Sequence, residues 1–464
     1  MSILAKRYAS SEMRELWSPE FKIIKEREIW ISVLKAQKDI GLDVSEEIIQ
    51  KYERVKNEVD ITSIELREKQ TQHDVKARIE EFNALAGCQK IHVGLTSRDV
   101  TENAEMLQIK AALELVEFKT KVLLCVLARF AQTHVGLPVV ARTHNVPAQI
   151  STLGRRFSSW IEELMLSLKH LEELRKRLPA KGIKGAIGTS QDLFELFGSQ
   201  YFAVEDKFMA DNNLEILLVA PSQIYPRSID YEVVTSLVQL ASAPSNIAIN
   251  IRLMSGIGQM SEGMEEGQTG SSAMPHKVNS RLSERVNGLL SVLKGNAVMI
   301  QELLGNQWNE GDVSCSVVRR IALSDAFYSI DAIFETMVRI MGRIEVFPEV
   351  IAREVNEHLP FLSSSRILAE LVRKGFGRED AHAILKRHSL VAAKHFRETG
   401  ENNLLKLIAA DDKLKLTLSE LKGFLEYSSA TELATTQAMK VIARALEESK
   451  SIPNASSYRP SELN

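Results

Sequence analysis

The stretch Leu107-Gln-Ile-Lys-Ala-Ala-Leu-Glu-Leu-Val-Glu-Phe-Lys-Thr-Lys-Val-Leu-Leu-Cys-Val-Leu-Ala-Arg-Phe-Ala-Gln132 decides the fold class. Its apolar residues recur at steps of three and four positions, which is the spacing of one buried face of an α-helix. The same pattern returns over residues 156–178, 230–254, 285–304 and 317–341, while alternating strand patterns are scarce. We therefore predict an all-α protein built around a central bundle of very long helices.

Two interruptions of this pattern predict domain boundaries. One lies at Asn103–Glu105 and the other at His358–Phe361, where Leu-Pro breaks the periodicity. We expect the tail Ser451-Ile-Pro-Asn-Ala-Ser-Ser457 to be mobile, as chain ends commonly are. The predicted division is an N-terminal helical domain over residues 1–105, a central long-helix bundle over 106–360 and a C-terminal helical domain over 361–464.

Composition excludes several classes of function. The chain has 464 residues and a formal net charge of −3, so it has no overall basic field to attract nucleic acid or acidic membranes. No run approaches the ~18 consecutive apolar residues of a membrane span, and the first residues lack the apolar core of a signal peptide. Three distant cysteines show no CxxC or Cys/His spacing, so neither a disulfide framework nor a metal site is predicted. We expect a cytoplasmic protein without nucleic-acid or membrane partners.

The most unusual segment is Gly267–Ser280, which combines glycines and small hydroxyl residues with a Lys, an Asn and a His. Composition alone allows two interpretations, a surface connector rich in Ser and Gly or a lid that closes over a ligand. As a lid, it would bring Ser271 or Ser272 to the substrate and bind a carboxylate through Lys277 and Asn279.

Within that segment, Gly270-Ser-Ser-Ala-Met-Pro-His-Lys-Val-Asn279 resembles the signature loop of the fumarase/aspartase superfamily. The superfamily includes fumarase, aspartase, argininosuccinate lyase, adenylosuccinate lyase and carboxymuconate cycloisomerase. Ser280 departs from the pattern, because members usually have Pro there. The resemblance favours the lid interpretation.

Two further blocks resemble shared regions of the superfamily, in the same order along the chain. Gly94-Leu-Thr-Ser-Arg-Asp99 is similar to the first, which implies that the hydroxyls of Thr96 and Ser97 bind a substrate carboxylate. Arg142-Thr-His-Asn-Val-Pro-Ala-Gln149 is similar to the second, which implies that His144 is the proton donor. Taken singly, Thr96 and Ser97 could cap a helix, and His144 could be a structural histidine. Three matches together favour the catalytic interpretation.

Other segments resemble the adenylosuccinate lyase family. Arg7–Ser18 is similar to its N-terminal segment, which implies that Arg7 and Tyr8 contact a nucleotide phosphate. The resemblance implies further substrate contacts from His73, Asp74, His92, Ser190, Gln191, Glu284, Arg285, Ser316 and Arg320.

Two positions depart from the family pattern. Ser190 stands where the family often has Gln, and Gly311 stands where many members have Arg. Ser316 and Arg320 are four residues apart, so a helix would place both on one face.

The resemblance implies anti β-elimination from a succinylated nucleotide, with release of fumarate. Ser271 is the predicted base at the succinyl β-carbon, with Ser272 the less favoured choice. His144 would protonate the departing nitrogen, and Glu284 would orient or charge its imidazole. Because acid and base act from opposite sides, the elimination would be trans.

The same chemistry needs hydrogen-bond donors around the carboxylate that receives the second negative charge. The predicted donors around this aci-carboxylate are Lys277, Asn279, Thr96 and Ser97.

The resemblance implies no cofactor or metal. It also implies a homotetramer in which three subunits meet at each active site and the long helices form the tetramer core.

Two alternatives stay open on the sequence alone. One is a sister lyase such as 3-carboxy-cis,cis-muconate cycloisomerase or argininosuccinate lyase, because signature loops with Met-Pro-His-Lys also occur there. The other is a non-catalytic helical scaffold that retains the fold. Arg7-Tyr8 and His73-Asp74 favour cleavage of adenylosuccinate to AMP and fumarate, together with cleavage of the succinyl-carboxamide ribotide of purine synthesis.

Overall fold

The computed structural model describes residues 2–265, 267, 269–271, 273–453 and 455–461, without the side chain of Ser456. The α-helices are α1 (Ile3–Arg7), α2 (Ser11–Leu16), α3 (Pro19–Asp39), α4 (Glu46–Val55), α5 (Ile61–Thr71), α6 (Asp74–Ala86), α7 (Ser97–Thr133), α8 (Leu153–Lys176), α9 (Gln191–Phe197), α10 (Phe202–Asp211), α11 (Ser228–Gly256), α12 (Arg281–Gln301), α13 (Ser314–Met341), α14 (Pro348–Leu362), α15 (Ser364–Arg373), α16 (Arg378–Thr399), α17 (Leu404–Ala409), α18 (Leu418–Gly423) and α19 (Ser428–Ser449). The strands are β1 (Pro138–Thr143), β2 (Val146–Thr152), β3 (Met260–Ser261) and β4 (Glu345–Val346), and short 3₁₀ turns cover Gly198–Tyr201 and Ala455–Ser457.

The predicted long helices are present, and the all-α prediction is confirmed. The longest is α7 with 37 residues, followed by α11 with 29 and α13 with 28. At 1.5 Å per residue, α7 is about 55 Å long. The helix α11 continues through Pro244, which is buried inside it.

The stripe that predicted α7 is the face that the helix buries. Ile109, Leu113, Val116, Leu123 and Leu127 on this helix are all fully buried. They pack in one continuous core with the apolar faces of α8, α11, α12 and α13. Each such side chain stabilises the fold by about 1.5–3 kcal/mol relative to its exposed state, which explains why the pattern identifies the bundle.

Among the smaller hydrophobic cores, two lie in the helices at the two ends of the chain. One surrounds Trp30, Tyr52 and Phe82 in the N-terminal helices. The other lies between Ile367 and Leu421 in the C-terminal helices. Separate cores at the two ends of the chain are compatible with three domains, and the exact division stays a prediction.

Both predicted boundary residues lie inside helices. Residue 105 falls within α7, and residue 360 falls within α14. The chain stays helical at residue 103 although Asn103 is polar. Its buried amide donates to the carbonyls of Asp99 (2.7 Å) and Gly182 (2.9 Å), so its donors are satisfied inside the protein. In addition, α19 returns from the C-terminal region to the bundle, where Ala438, Ile442 and Ala445 join the central core.

A β-hairpin interrupts the helical chain between α7 and α8. Strands β1 and β2 pair antiparallel, and His144 and Asn145 form their turn with φ angles of 52° and 61°. Positive φ at both central residues is the signature of a type I′ turn, which Asn tolerates well. The all-α pattern gave no sign of this element, since its strands have only six and seven residues and show no strict alternation of buried and exposed positions.

The tail predicted to be mobile, residues 451–457, contains Ala455, which is buried in the central core, and the residues that follow it contact the bundle. The Tyr458 hydroxyl donates to Glu335 Oε1 at 2.5 Å, and the backbone N–H of Ser461 donates to Glu335 Oε2 at 2.6 Å. Glu335 is buried in α13 and pairs with Lys119 of α7 at 2.6 Å. The tail is therefore docked on the central bundle. Among the described helices, none has the length and apolarity needed to cross a membrane.

Candidate active site

A cleft of about 800 Å³ opens where the N-terminal ends of α6, α7 and α13 converge. Residues from three distant segments line it, namely His73 and Asp74, Ser97, and Ser316 with Arg320. Its volume is in the range of pockets that hold small-molecule ligands. The fold thus brings these predicted substrate-binding residues together.

His73 and Asp74 are positioned by the start of α6. Gln72 ends α5 in the left-handed conformation with φ of 53°, and His73 then caps α6 by accepting the Lys76 N–H at Nδ1 (3.2 Å). Asp74 pairs with Arg78 at 2.9 Å and with Arg320 at 3.3 Å. Burial opposes the charge of this carboxylate, but the neighbouring guanidinium groups hold the pKa of Asp74 below its ordinary value.

His92 lies just before α7 and is held as a neutral ring. The Trp30 indole N–H donates to His92 Nδ1 at 3.0 Å. An indole nitrogen can only donate, so Nδ1 must be an acceptor and the ring proton lies on Nε2. Burial lowers the pKa of His92 to about 4. His92 is therefore suited to donate a hydrogen bond through Nε2 but not to carry charge near neutral pH.

Thr96 and Ser97 begin α7, and the buried Asp99 ties them to a second segment. Asp99 accepts the Thr96 N–H at 2.9 Å and the Lys181 ammonium at 2.5 Å. It also accepts the backbone N–H groups of Lys184 and Gly185. The sequence marked Thr96 and Ser97 but missed Asp99 and Lys181, whose pairing depends on residues 82 positions apart.

Asp99 thereby positions the glycine-rich turn that contains the predicted contacts Ser190 and Gln191. Ser190 is 2% exposed, and its hydroxyl donates to the Ile183 carbonyl at 3.1 Å. Gln191 is exposed and donates to Glu195 at 2.9 Å. In this conformation the Ser190 hydroxyl stabilises the turn itself, while the Gln191 side chain is accessible.

The turn also requires glycine at position 188. A Cβ atom there would lie 2.0 Å from the Pro221 carbonyl oxygen, and φ is +89°. Gly311, near the predicted contact Ser316, is similarly constrained by a φ of +144°. The local backbone therefore favours glycine at position 311, where many family members have Arg.

Arg7, Tyr8 and Arg285 form a separate cluster away from this cleft. The Arg285 guanidinium lies 5.2 Å from the centre of the Tyr8 ring, and that of Arg7 lies 5.8 Å away. Both distances are in the range of cation–π contacts. The contact joins the N-terminal segment to the first turns of α12.

The signature loop starts and ends at fixed points of the structure. Glu262 is buried and accepts the backbone N–H groups of Leu282 (3.1 Å) and Ser283 (2.6 Å), which caps α12. Before the loop, β3 pairs with β4. Glu284 is exposed in the first turn of α12.

Within the loop, Asn279 and Ser271 hold the backbone conformation. The Asn279 amide donates to the Gly270 carbonyl at 3.1 Å, and the Met274 N–H donates to Ser271 Oγ at 3.1 Å. Lys277 is exposed. The alternative base, Ser272, lies outside the described residues.

His144 is exposed at the tip of the β1–β2 hairpin. Arg142 forms an ion pair with Glu354 of α14 and donates to the Asn145 carbonyl at 3.2 Å, which fixes the turn. A cleft of about 940 Å³ lies beside the hairpin and is lined by Arg142, Gln149 and Glu354, among others.

One chain does not bring Ser97 and His144 together. Ser97 is the first residue of α7, whereas the hairpin that carries His144 follows the last residue of the same helix. The helix is about 55 Å long, and the eleven residues from its end to His144 reach at most about 37 Å, so the backbones of the two residues are at least roughly 18 Å apart.

The signature loop is also distant from the cleft that contains Ser97. Arg227, just before α11, bonds to Glu102 near the start of α7 at 2.9 Å, while the loop follows the far end of α11. A helix of 29 residues spans about 43 Å. The predicted site residues of one chain therefore form separate groups.

Comparison with known proteins identifies the family. Residues 9–295 match the family model described as Lyase, and residues 360–441 match that of the adenylosuccinate lyase C-terminus. The adenylosuccinate lyase of Schistosoma mansoni is 35% identical over 87% of this chain and 85% of its own length. That of Saccharomyces cerevisiae is 33% identical over 95% of this chain and 93% of its own length.

Solved structures agree on the fold. The 3-carboxy-cis,cis-muconate lactonizing enzyme from Pseudomonas putida superposes with a TM-score of 0.82, covering 97% of this chain and 99% of that one at 20% identity. This likeness concerns the fold alone. The long-helix bundle, the matched segments and the sequence relatives together establish that the chain is a lyase and belongs to the adenylosuccinate lyase family.

Proposed function

We propose that this protein cleaves adenylosuccinate to AMP and fumarate, and the succinyl-carboxamide ribotide SAICAR to AICAR and fumarate, in cytoplasmic purine nucleotide biosynthesis. The observation that carries the proposal is the cleft in which His73, Asp74, Ser97, Ser316 and Arg320 converge. Two segments whose family counterparts bind the nucleotide meet there with a third, that of Ser97, whose counterpart binds a substrate carboxylate. More than 240 positions separate the first segment from the last.

The cleft suits a nucleoside monophosphate. Arg320 is 68% exposed and Ser316 lies one turn before it on α13, so both can donate to phosphate oxygens. Asp74 is held ionised by its arginine neighbours and can accept from ribose hydroxyls. The His92 ring offers a neutral donor at the same end of α7.

In the proposed mechanism, Ser271 removes the proton from the succinyl β-carbon. The electron pair left on that carbon forms the new double bond as the C–N bond breaks. A free serine is a weak base, but the Met274 N–H already donates to Ser271 Oγ, and hydrogen bonds to an oxygen favour its anionic form. Closure of the loop would add the positive charge of Lys277.

His144 gives a proton to the departing nitrogen. Its exposed position at the tip of the hairpin allows the ring to enter a site formed by another surface. Glu284 would orient the imidazole and raise its proton affinity. Donors around the aci-carboxylate, with Thr96 and Ser97 among them, would each contribute about 10²–10³ in rate.

We further propose that the active enzyme is a homotetramer whose sites combine residues of different subunits. The separation of Ser97 and His144 within one chain supports this step, because one succinyl group cannot contact two residues whose backbones are at least roughly 18 Å apart. An exposed stripe on α12 provides a surface for assembly, formed by Gly288, Val292, Gly295 and Met299 at steps of three and four.

Glycines in that stripe favour close helix contact. Among the described residues, a Cβ atom at Gly288 or Gly295 would meet no atom beyond its own helix backbone within 4 Å, so the surface is open to another helix. Apolar residues also lie exposed on the adjacent α11, at Ile249 and Leu253. We propose that these long helices form the tetramer core, with the N- and C-terminal domains outside it.

The direct test uses the purified full-length protein and adenylosuccinate. We expect release of fumarate and AMP in equal amounts, and turnover of SAICAR by the same preparation. Argininosuccinate and carboxymuconate serve as control substrates. Absence of adenylosuccinate turnover together with turnover of a control substrate would refute the proposal.

A further inference from the structure

The cations of the cleft differ in how far their donors are already used. Arg319 is 3% exposed, and it donates to Asp230 at 2.7 Å and pairs with Glu105 at 2.5 Å. Its charge is therefore neutralised by buried carboxylates. Arg320 is 68% exposed and contacts Asp74 at 3.3 Å. A ligand can engage Arg320 but not Arg319.

Arg98 is a second accessible cation in this cleft, and the site residues taken from the sequence do not include it. It is the second residue of α7, and its side chain lines the cleft with 13% exposure. Nη1 pairs with Glu102 at 2.9 Å, and Nη2 donates to Ser316 Oγ at 3.2 Å. A guanidinium has five N–H groups, so these two bonds leave donors for a ligand.

Glu102 fixes the orientation of Arg98 without depending on it. This carboxylate is fully buried and also accepts from Arg227 Nη2 at 2.9 Å and from the Tyr225 N–H at 3.3 Å. Loss of Arg98 would therefore leave Glu102 paired. The Asp312 carboxylate also acts electrostatically on Arg98, but it is occupied by the N–H and hydroxyl of Ser314.

We propose that Arg98 binds the phosphate of the substrate, completing an anion site with Ser316 and Arg320. This inference rests on the proposed function, which supplies a substrate with a 5′-phosphate. Two helices contribute to the site, α7 through Arg98 and α13 through the other two residues. The Arg98–Ser316 contact holds the hydroxyl and the guanidinium side by side, an arrangement that suits the adjacent oxygens of a phosphate.

The test compares a phosphorylated substrate with one that lacks the phosphate. In Arg98→Gln, we expect KM for adenylosuccinate to rise about 10- to 100-fold, the range for loss of a charge-assisted hydrogen bond, while kcat changes less than about threefold. For succinyladenosine, which has no phosphate, the variant should match the wild type within about threefold. Arg98→Lys should give a KM for adenylosuccinate between those of the wild type and Arg98→Gln, because lysine keeps the charge but lacks the fork geometry of the guanidinium.

Arg373→Gln is the matched control, since Arg373 is 76% exposed and pairs with Glu370 within its own helix. It should leave both substrates unaffected. Thermal unfolding of Arg98→Gln should stay within about 5 °C of the wild type, because Glu102 remains paired. An equal rise in KM for both substrates, or no rise for adenylosuccinate, would overturn the role of Arg98.

Calorimetric titration with AMP and adenosine separates this inference from the proposed function. The wild type should bind AMP more tightly than adenosine, and Arg98→Gln should lose most of that difference. If AMP binding depends on Arg98 but adenosyl substrates are not cleaved, the phosphate site stands and the proposed reaction fails. If the wild type does not distinguish AMP from adenosine, the phosphate site is refuted.

Discussion

Asp99 and Lys181 form an ion pair in which both side chains are fully buried, with Lys181 Nζ 2.5 Å from Asp99 Oδ1. The same carboxylate accepts backbone N–H groups from Thr96, Lys184 and Gly185. A single side chain thus joins the start of α7 to the turn before α9. The positions of Thr96 and Ser97 depend on this pair.

Asp99→Asn should therefore destabilise the protein by about 3–5 kcal/mol, because it leaves the Lys181 ammonium buried without a counter-charge. Urea unfolding, followed by circular dichroism, measures the change. Asp412→Asn, at an exposed position, is the control and should change the free energy of unfolding by less than about 0.5 kcal/mol. A loss below about 1 kcal/mol for Asp99→Asn would show that the pair is not structural.

Ser271→Ala and His144→Ala should each lower kcat by at least about 10², because each removes a proton-transfer group. Stopped assays with adenylosuccinate give the rates, and light scattering verifies that assembly is unchanged. Ser419→Ala and His382→Ala, both at exposed positions far from the matched motifs, should retain full activity. Wild-type rates in either site variant would refute its assigned role.

Subunits of two inactive variants should restore activity when mixed. In a 1:1 mixture of Ser97→Ala and His144→Ala, dissociated and reassembled together, roughly a quarter of the sites should receive both native residues if the two come from different copies. The assay compares this mixture with each variant treated alone. Lack of recovery would mean that one chain supplies both residues, contrary to the geometry of α7.

Stability should depend on the protonation of His92. Burial lowers its pKa to about 4, while the unfolded chain protonates near the ordinary value of 6.5. Between these values the unfolded state binds more protons, so the stabilising contribution is complete above pH 6.5 and is lost as the pH falls toward 4. The loss is at most roughly 3 kcal/mol.

Unfolding free energies of the wild type and His92→Gln, measured from pH 4 to 7, test this effect. Gln keeps an acceptor for the Trp30 N–H but does not titrate, so the variant should show a smaller pH dependence. Parallel pH curves for the two proteins would contradict the prediction.

Val292→Glu should disrupt the proposed tetramer, because it places a charge in the exposed apolar stripe of α12. Sedimentation velocity measures the assembly, and activity should fall with it. Leu390→Glu, which makes the same kind of change on the exposed face of α16, should leave the assembly intact. An unchanged assembly in Val292→Glu would exclude this stripe from the interface.

The amino-acid sequence by itself determined the long helices, since an apolar stripe such as that of α7 must be buried and its period specifies a helix. Local motifs also predicted roles for Thr96, Ser97, His144 and the signature loop, because their residue types occur in a fixed order. The continuation of α7 through Asn103, the His144 hairpin and the docking of Tyr458 on Glu335 needed the tertiary structure.

The contacts of Asp99 and Arg98 also needed the tertiary structure. The partner of Asp99 is 82 positions away, and the contact of Arg98 with Ser316 joins residues 218 positions apart. The physical reason is that periodicity reports the environment of one face of one element, whereas a polar contact depends on which two faces meet. The apolar stripe also predicted only residues 107–132 of this helix. The fold shows that α7 runs from Ser97 to Thr133, so that Ser97 and the hairpin with His144 lie at its opposite ends.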